Sequence, residues 1–365
     1  MKIIFDNIIY NLQNSGGGSV YWTELIKRFN NLNSDEIVFY EPKEPNQNIF
    51  RKELVLKNVK KETFLNLSIR RYLTFTIPVR SKSIFHSSYF RISKSKNAIN
   101  ITTIHDFTTE RFRRGLARWV NLQQKRYAVK NSDGIICISE NTKKDLLYFC
   151  PNVDEKKIRV IYNGVSDDFF KIKDLSNFKL SNFGFEKFQN KKLVLFVGHR
   201  TSYKNFDKAV LAFAKLNNNN YHFVIVGERL NESELNLVEK NITKNDFTVL
   251  NGLNNEKLNL LYNISFVLVY PSSYEGFGIP LVEAMKTGLP FVASHNSSLP
   301  EVAGDAGIIV KELSSEIISI AISSLEKQDL RQEIISRGFI QSDKFNWDRT
   351  FKAYHDFYKE LYNER

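Results

Sequence analysis

Short apolar runs rich in Ile and Val recur along this 365-residue chain, with longer helical patterns between them. The first series is KIIF (2–5), EIVFY (36–40), SIFHS (83–87), NITTIHD (100–106), GIICIS (134–139) and IRVIYN (158–163). The second is LVLFVG (193–198), HFVIVG (222–227), FTVLNG (247–252), FVLVYP (266–271) and PFVAS (290–294). Runs that are almost wholly apolar, rather than alternating, fit parallel strands covered on both faces by helices. Two series predict an α/β protein of two doubly wound parallel-sheet domains, with ligand sites at the carboxyl ends of the strands. The length agrees with two cores. The polar stretch 167–192 reads as a linker with irregular structure, so the domains are expected at residues 1–168 and 190–343. NNNN (217–220) reads as a loop. Residues 344–365 carry Trp347, Phe351, Tyr354, Phe357, Tyr358 and Leu361 at helical spacing, the pattern of an amphipathic helix that must pack on something.

A hydrophobic content of 42% and a charged content of 25% are those of a globular protein. Asp6 and Asn7 interrupt the first apolar run, against a signal peptide, and no run is long enough to span a bilayer. Cys137 and Cys150 make no disulfide framework. These features predict a cytoplasmic protein. The net charge of +12 lies wholly in residues 1–175, which hold 30 Lys and Arg against 18 Asp and Glu. A one-sided basic surface suits phosphates, nucleic acid or a membrane face, and it also suits plain solvation. No helix-turn-helix, RNP or zinc pattern accompanies it, so nucleic acid is not expected as a partner.

The stretch YPSSYEGFGIPLVEAM (270–285) concentrates the chemistry. A strand leads into it, Gly276 and Gly278 permit a tight loop, Pro280 suits the first turn of a helix, and Gly288 stops that helix. The unpaired N–H groups of the helix start form an anion site suited to phosphate. Glu275 precedes the turn, and Glu283 lies about one turn into the helix. Carboxylates accept hydrogen bonds and suit hydroxyls, so the group fits a hydroxyl–diphosphate–hydroxyl molecule, a nucleotide sugar. Acidic side chains favoured simply by the helix dipole give the same spacing.

EGFGIPLVEAM resembles the glutamate–seven–glutamate signature of glycosyltransferase family 4, retaining enzymes of the GT-B architecture. ASHNSSLPEVAGDAG (293–307), VGHRTSYKNF (198–207), VIYNGV (160–165), NSGGGSVYW (14–22) and the C-terminal Trp-containing helix resemble further family segments, in order along most of the chain. The resemblance implies two Rossmann-like domains facing a cleft, with 344–365 crossing back onto the first. It implies that Arg200 and Lys204 hold the donor diphosphate, in a loop where His199 takes the place the family usually gives to arginine. It implies that Gly276, Phe277, Gly278 and Ile279 lie along the donor, that Glu283 holds the ribose, and that Glu275 holds the transferred sugar. It places Gly16, Gly17 and Gly18 beside diphosphate and acceptor, and His105 near the reacting carbon.

No cofactor is expected, and no metal: Asp-x-Asp does not occur, and no His/Cys cluster has zinc spacing. The implied substrates are a nucleotide-sugar donor, GDP- or UDP-linked with a lean to GDP-mannose from the YKNF form of the loop, and a glycan or lipid-linked oligosaccharide acceptor of bacterial surface polysaccharide. Basic and aromatic residues at 70–91 are expected to meet lipid head groups at the inner membrane face. An epimerase or phosphorylase of the same architecture is the alternative reading.

Overall fold

The computed structural model describes residues 1–32, 34–62, 67–175, 180–216 and 220–365. The tripeptide 217–219, most of the expected NNNN loop, lies outside them. The chain divides into two compact units, one of Met1–Gly164 with Trp347–Arg365, the other of Val165–Asn346.

The first unit is built on seven parallel strands: β1 (Ile3–Asp6), β2 (Ile37–Pro42), β3 (Val59–Glu62), β4 (Ser83–Ser87), β5 (Ala98–Ile104), β6 (Gly134–Cys137) and β7 (Ile158–Val160). Their order in the sheet is β3-β2-β1-β4-β5-β6-β7. The second holds β8 (Lys192–Val197), β9 (Tyr221–Val226), β10 (Phe247–Leu250), β11 (Val267–Tyr270), β12 (Phe291–Ser294) and β13 (Ile308–Val310), in the order β10-β9-β8-β11-β12-β13. Both sheets are doubly wound, with the chain reversing direction across the sheet beside β1 and again beside β8. Every residue of β4, β5, β9 and β12 is buried. Burial on both faces is why these strands read as unbroken apolar runs.

Two strands escape the sequence reading. Val59–Glu62 contains two exposed lysines and pairs only with β2, and charge on an edge strand blocks further strand addition. Ile308–Val310 is a three-residue strand at the opposite edge of the second sheet, too short to show a period.

Two corrections follow from packing. The stretch 167–192 is no free linker. It belongs to the second unit, where Phe169, Ile172, Phe185 and Phe188 are buried and the Ile172 N–H donates to Asn263 Oδ1 (2.8 Å). Four aromatic and aliphatic side chains scattered among polar residues have no period to reveal them. Two arginines of the basic stretch 70–91 are also not free, although Tyr72 and Arg80 are exposed. Arg70 is only 1% exposed and ion-paired to Glu44 (3.1 Å), and Arg91 is buried between Asp6 (3.0 Å) and Glu62 (2.8 Å). Arg51 and Lys61 likewise pair with buried Glu41. These four cations and four carboxylates cancel, so the basic excess is carried by other residues.

The helix Trp347–Glu364 packs on the first unit with Trp347, Tyr354, Phe357 and Tyr358 buried. Gly134 and Gly164 admit it. A Cβ at Gly134 would stand 2.5 Å from Leu361 Cδ1, and one at Gly164 2.5 Å from the Trp347 Cα. Tyr358 Oη bonds His86 Nδ1 (2.5 Å), and His86 Nε2 bonds Thr103 Oγ1 (3.0 Å). Burial lowers the His86 pKa from 6.5 to about 3. The folded pKa lies below the unfolded one, so the unfolded chain binds more protons between these values. The stability is present above pH 6.5 and lost as pH falls. Acidification from pH 7 to 5 should cost about 2 kcal/mol through this group. Denaturant titrations of wild type and His86→Gln at both pH values should show a pH slope smaller by that amount in the variant. Equal slopes would remove His86 from the account.

Candidate functional site

The functional residues of the second unit gather at the carboxyl ends of β8, β11 and β12, neighbours in the sheet and flanking the point where the strand order reverses. Side chains lace the three loops together. Asn205 Nδ2 donates to the Pro271 carbonyl (2.8 Å) and Ser273 Oγ (2.7 Å), and the Ser273 N–H donates to the Tyr203 carbonyl (2.7 Å). Ser294 Oγ donates to the Ser272 carbonyl. Ser297 Oγ accepts from the Glu275 N–H (3.1 Å) and donates to the Glu275 carbonyl (2.5 Å), while Ser298 Oγ donates to the carbonyls of Glu275 (3.0 Å) and Phe277 (2.8 Å).

Within this frame Lys204 Nζ donates to Glu275 Oε1 (2.5 Å) and Tyr270 Oη (2.9 Å). Burial opposes the lysine charge, but Tyr270 and Glu275 outweigh it and hold the Lys204 pKa well above its ordinary value. Lys204 stays cationic, with two of its three N–H donors taken. Burial in turn raises the Tyr270 phenol, so it remains a neutral hydroxyl.

Gly278 starts the helix Ile279–Thr287 with φ +108°, a left-handed conformation that glycine adopts freely. A Cβ there would also meet Leu299 Cδ2 at 2.8 Å. Glu283 lies inside that helix, 9% exposed, and accepts a hydrogen bond from Tyr262 Oη (2.8 Å). Burial raises its pKa from 4.5 to about 7, against the lowering effect of Tyr262. A carboxylate held this dry is a strong acceptor for a ligand hydroxyl.

The remaining expected residues divide. Arg200 is turned away from the Lys204–Glu275 pair. Its side chain is 4% exposed, with Nε 3.0 Å from Glu234 Oε2 and Nη2 donating to the carbonyls of Glu228 and Arg229 (both 2.9 Å). His199 is largely exposed. Phe277 is buried, its ring edge-on to Phe345 (5.4 Å), so its side chain serves the core. Gly276 and Ile279 are partly buried on either side of Gly278.

In the first unit, only Gly16 precedes the helix Gly17–Asn30; Gly17 and Gly18 form its first turn rather than a loop. Their lack of a side chain suits a helix start as well as a turn, which is why the sequence does not separate the two. His105 follows the last residue of β5, edge-on to the Tyr21 ring (4.6 Å). Burial lowers its pKa to about 4, so its imidazole is neutral at neutral pH. Asp106 is committed locally, accepting from the Thr108 N–H (2.8 Å). Among the described residues, no group of three or more His, Cys, Asp and Glu is placed to hold a metal ion.

Sequence reasoning missed Tyr262, Ser297, Ser298 and the role of Tyr270. Tyr270 stands at the head of the signature stretch, but nothing there shows that its hydroxyl meets Lys204. Tyr262 is distant in sequence from Glu283 and meets it only through packing.

Two parallel, doubly wound sheets, one in each unit, are the architecture of GT-B glycosyltransferases. Two family models match in tandem, Glycosyltransferase Family 4 over residues 15–169 and Glycosyl transferases group 1 over residues 178–340. The chain belongs to this glycosyltransferase family. It is 37% identical to O-antigen chain mannosyltransferase B of Escherichia coli over 37% of each chain. It is 30% identical to the Salmonella typhimurium O-antigen chain mannosyltransferase RfbU over 55% of this chain and 53% of that protein. An uncharacterized glycosyltransferase of Methanocaldococcus jannaschii aligns over 99% of both chains at 26% identity. The mannosyltransferases are thus matched over about a third to a half of their lengths. Among solved structures, Anabaena HepE in complex with UDP-glucose superposes with a TM-score of 0.72 at 16% identity over 98% of each chain. Sucrose-phosphate synthase of Thermosynechococcus elongatus gives 0.75 at 15% identity over the whole of both.

Glu283 yields a pH test. Its folded pKa lies above its unfolded one, so its contribution to stability is present below pH 4.5 and lost as pH rises through about 7. Burying the carboxylate then costs about 3 kcal/mol. Glu283→Gln should gain stability relative to wild type as pH rises from 5 to 8.5, measured by urea unfolding. A difference independent of pH would mean that Glu283 ionises normally.

Proposed function

We propose that this glycosyltransferase is a retaining, metal-independent hexosyltransferase that moves mannose from GDP-mannose to a glycan acceptor, lipid-linked, in bacterial surface polysaccharide synthesis. The observation that carries the reading is the Lys204–Glu275 pair joined to Glu283 through a glycine-started helix. Two polyol-binding carboxylates flank a cation and a row of helix amides. In this reading the amides at Gly278 and Ile279 and the ammonium of Lys204 receive the donor diphosphate, Glu283 takes the ribose diol, and Glu275 takes the transferred sugar. Lys204 carries the cationic role assigned to both Lys204 and Arg200 by resemblance, because Arg200 is engaged by Glu234. The acceptor is assigned to the first unit, near Gly16 and His105, where a neutral imidazole offers one donor and one acceptor without competing for the proton.

As the bond from the anomeric carbon to the diphosphate breaks, negative charge grows on the departing oxygen. Lys204 and the helix amides stabilise it where it develops. The acceptor oxygen bonds to the same carbon on the same face, and its proton passes to the leaving diphosphate. The donor assignment is supported by the E. coli and Salmonella relatives, both named as O-antigen chain mannosyltransferases. HepE is solved with UDP-glucose, which keeps UDP in the test. No helix of the described residues is long and apolar enough to cross a membrane. The proposed site of action is the cytoplasm, with peripheral contact at the inner membrane face.

Thermal-shift measurements with GDP, UDP and dTDP should show the largest rise with GDP. Glu275→Ala and Glu283→Ala should each weaken nucleotide-sugar binding about 10- to 100-fold, the scale of one hydrogen bond to a charged group. Lys204→Ala should lower kcat about 100-fold or more. Folded variants with unchanged donor affinity and turnover would overturn the site. Release of an isomerised sugar nucleotide, or dependence on inorganic phosphate, would replace transfer by epimerisation or phosphorolysis.

A further inference from the structure

The first unit holds a pocket of about 200 Å³ that the reaction above does not use. Tyr72, Phe90, Trp119, Gln123, Gln124 and Tyr127 line it. Three of these rings are unusually open: Trp119 is 59% exposed, Tyr72 51% and Tyr127 43%. Single exposed apolar side chains are ordinary, whereas three large rings around one concavity mark a binding surface. The platform is held in place from behind. The Arg71 guanidinium lies over both Tyr72 (5.2 Å) and Tyr89 (4.8 Å), and Arg71 Nη2 donates to Tyr89 Oη (2.5 Å).

The polar lining decides the class of occupant. Gln124 Nε2 donates to the Arg71 carbonyl, which fixes the sense of its amide. Its Oε1 is buried and accepts nothing among the described residues. A buried acceptor left this way favours any ligand that brings it a donor. Gln124 lines the pocket, and the broad terminal torsion of glutamine lets its carboxamide turn toward a bound hydroxyl in exchange for the bond to the Arg71 carbonyl. An alkyl or prenyl chain would cover the rings but would bring no donor to Gln124. A pyranose ring has both an apolar C–H face, which lies flat on an aromatic ring, and hydroxyls for Gln123 and Gln124. The volume holds about one such ring.

We infer that this pocket is a glycan subsite. It takes one sugar ring of a saccharide chain against Trp119, with hydroxyls bonded to the carboxamides of Gln123 and Gln124. The inference rests on the transferase reading for the origin of the chain, which is the acceptor glycan at a sugar other than the one that receives the transfer. The subsite would hold longer acceptors more tightly than single sugars.

The indole N–H signals of the three tryptophans give a direct readout. In ¹⁵N-labelled protein, linear mannose and glucose oligosaccharides of one to four units should shift the Trp119 signal progressively. The signals of Trp22 and Trp347 should stay in place. Trp119 is assigned by its loss in Trp119→Phe. Trp119→Ala and Gln124→Ala should weaken saccharide binding tenfold or more. Gln123→Ala, which removes the other proposed hydroxyl partner, should weaken saccharide binding less than Trp119→Ala does. No shift of Trp119 with any saccharide, or a shift with geranyl phosphate alone, overturns the subsite. GDP and UDP thermal shifts run in parallel separate the two readings. Nucleotide binding without saccharide binding removes the subsite and keeps the transferase. Saccharide binding without any nucleotide binding does the reverse.

Discussion

In a parallel sheet every strand ends on the same edge, and every connection must return across a face of the sheet. Both faces are thereby covered, and the loops at the carboxyl edge are left to do chemistry. In the second unit this constraint is sharpest beside β8, where the order β10-β9-β8-β11-β12-β13 reverses. The loops after β8 and β11 leave the sheet side by side at that point. Lys204 comes from one and Glu275 from the other, and their ion pair of 2.5 Å closes the gap. Asn205, Ser273, Ser297 and Ser298 then fix the loops through backbone carbonyls and amides, so the pair rests on a rigid base rather than on mobile side chains. A cation and a carboxylate in mutual contact neutralise each other, and in the proposed reading a ligand with phosphate and hydroxyls separates them.

The same edge of the first unit shows a different use of charge. Asp6, Glu41 and Glu62 close β1, β2 and β3, and each is buried. Arg91 answers Asp6 and Glu62 together, and Arg51 and Lys61 answer Glu41. Burial still holds Asp6 above the ordinary carboxylate range despite Arg91 and the hydrogen bond from Ser87. Such a cluster adds little net stability, yet removing one partner strands a buried charge at a cost of about 3–5 kcal/mol. The cluster carries no net positive charge, so the +12 excess lies on other residues, although single arginines such as Arg91 never reach solvent.

Much of the fold was legible because its strands are long runs of Ile, Val and Phe. The two missed strands show the limit. VKKE (59–62) is polar because it lies at an edge, and IIV (308–310) is too brief to carry a period. The second-unit site was legible in outline, since Glu275, Gly278, Pro280 and Glu283 sit in one contiguous segment whose backbone needs are local. Arg200 and Lys204 were read together because they lie four residues apart, but nearness in sequence says nothing about direction. One side chain turns to Tyr270 and Glu275, the other to Glu234. Gly17 and Gly18 were placed in a loop because glycine fits a loop and a first helical turn equally well.

The amino-acid sequence alone settled the alternation of strand and helix, the two doubly wound halves and the glycine-started helix that follows Glu275 and carries Glu283. Each follows from neighbours along the chain, through burial patterns and backbone freedom. Only the tertiary structure decided which groups meet: Tyr262 with Glu283, Tyr270 with Lys204, Arg91 with Asp6 and Glu62, and three aromatic rings around Gln124. Those contacts join residues far apart in sequence, and a hydrogen bond or ion pair depends on direction and distance to a fraction of an ångström. Composition and periodicity carry no information at that scale.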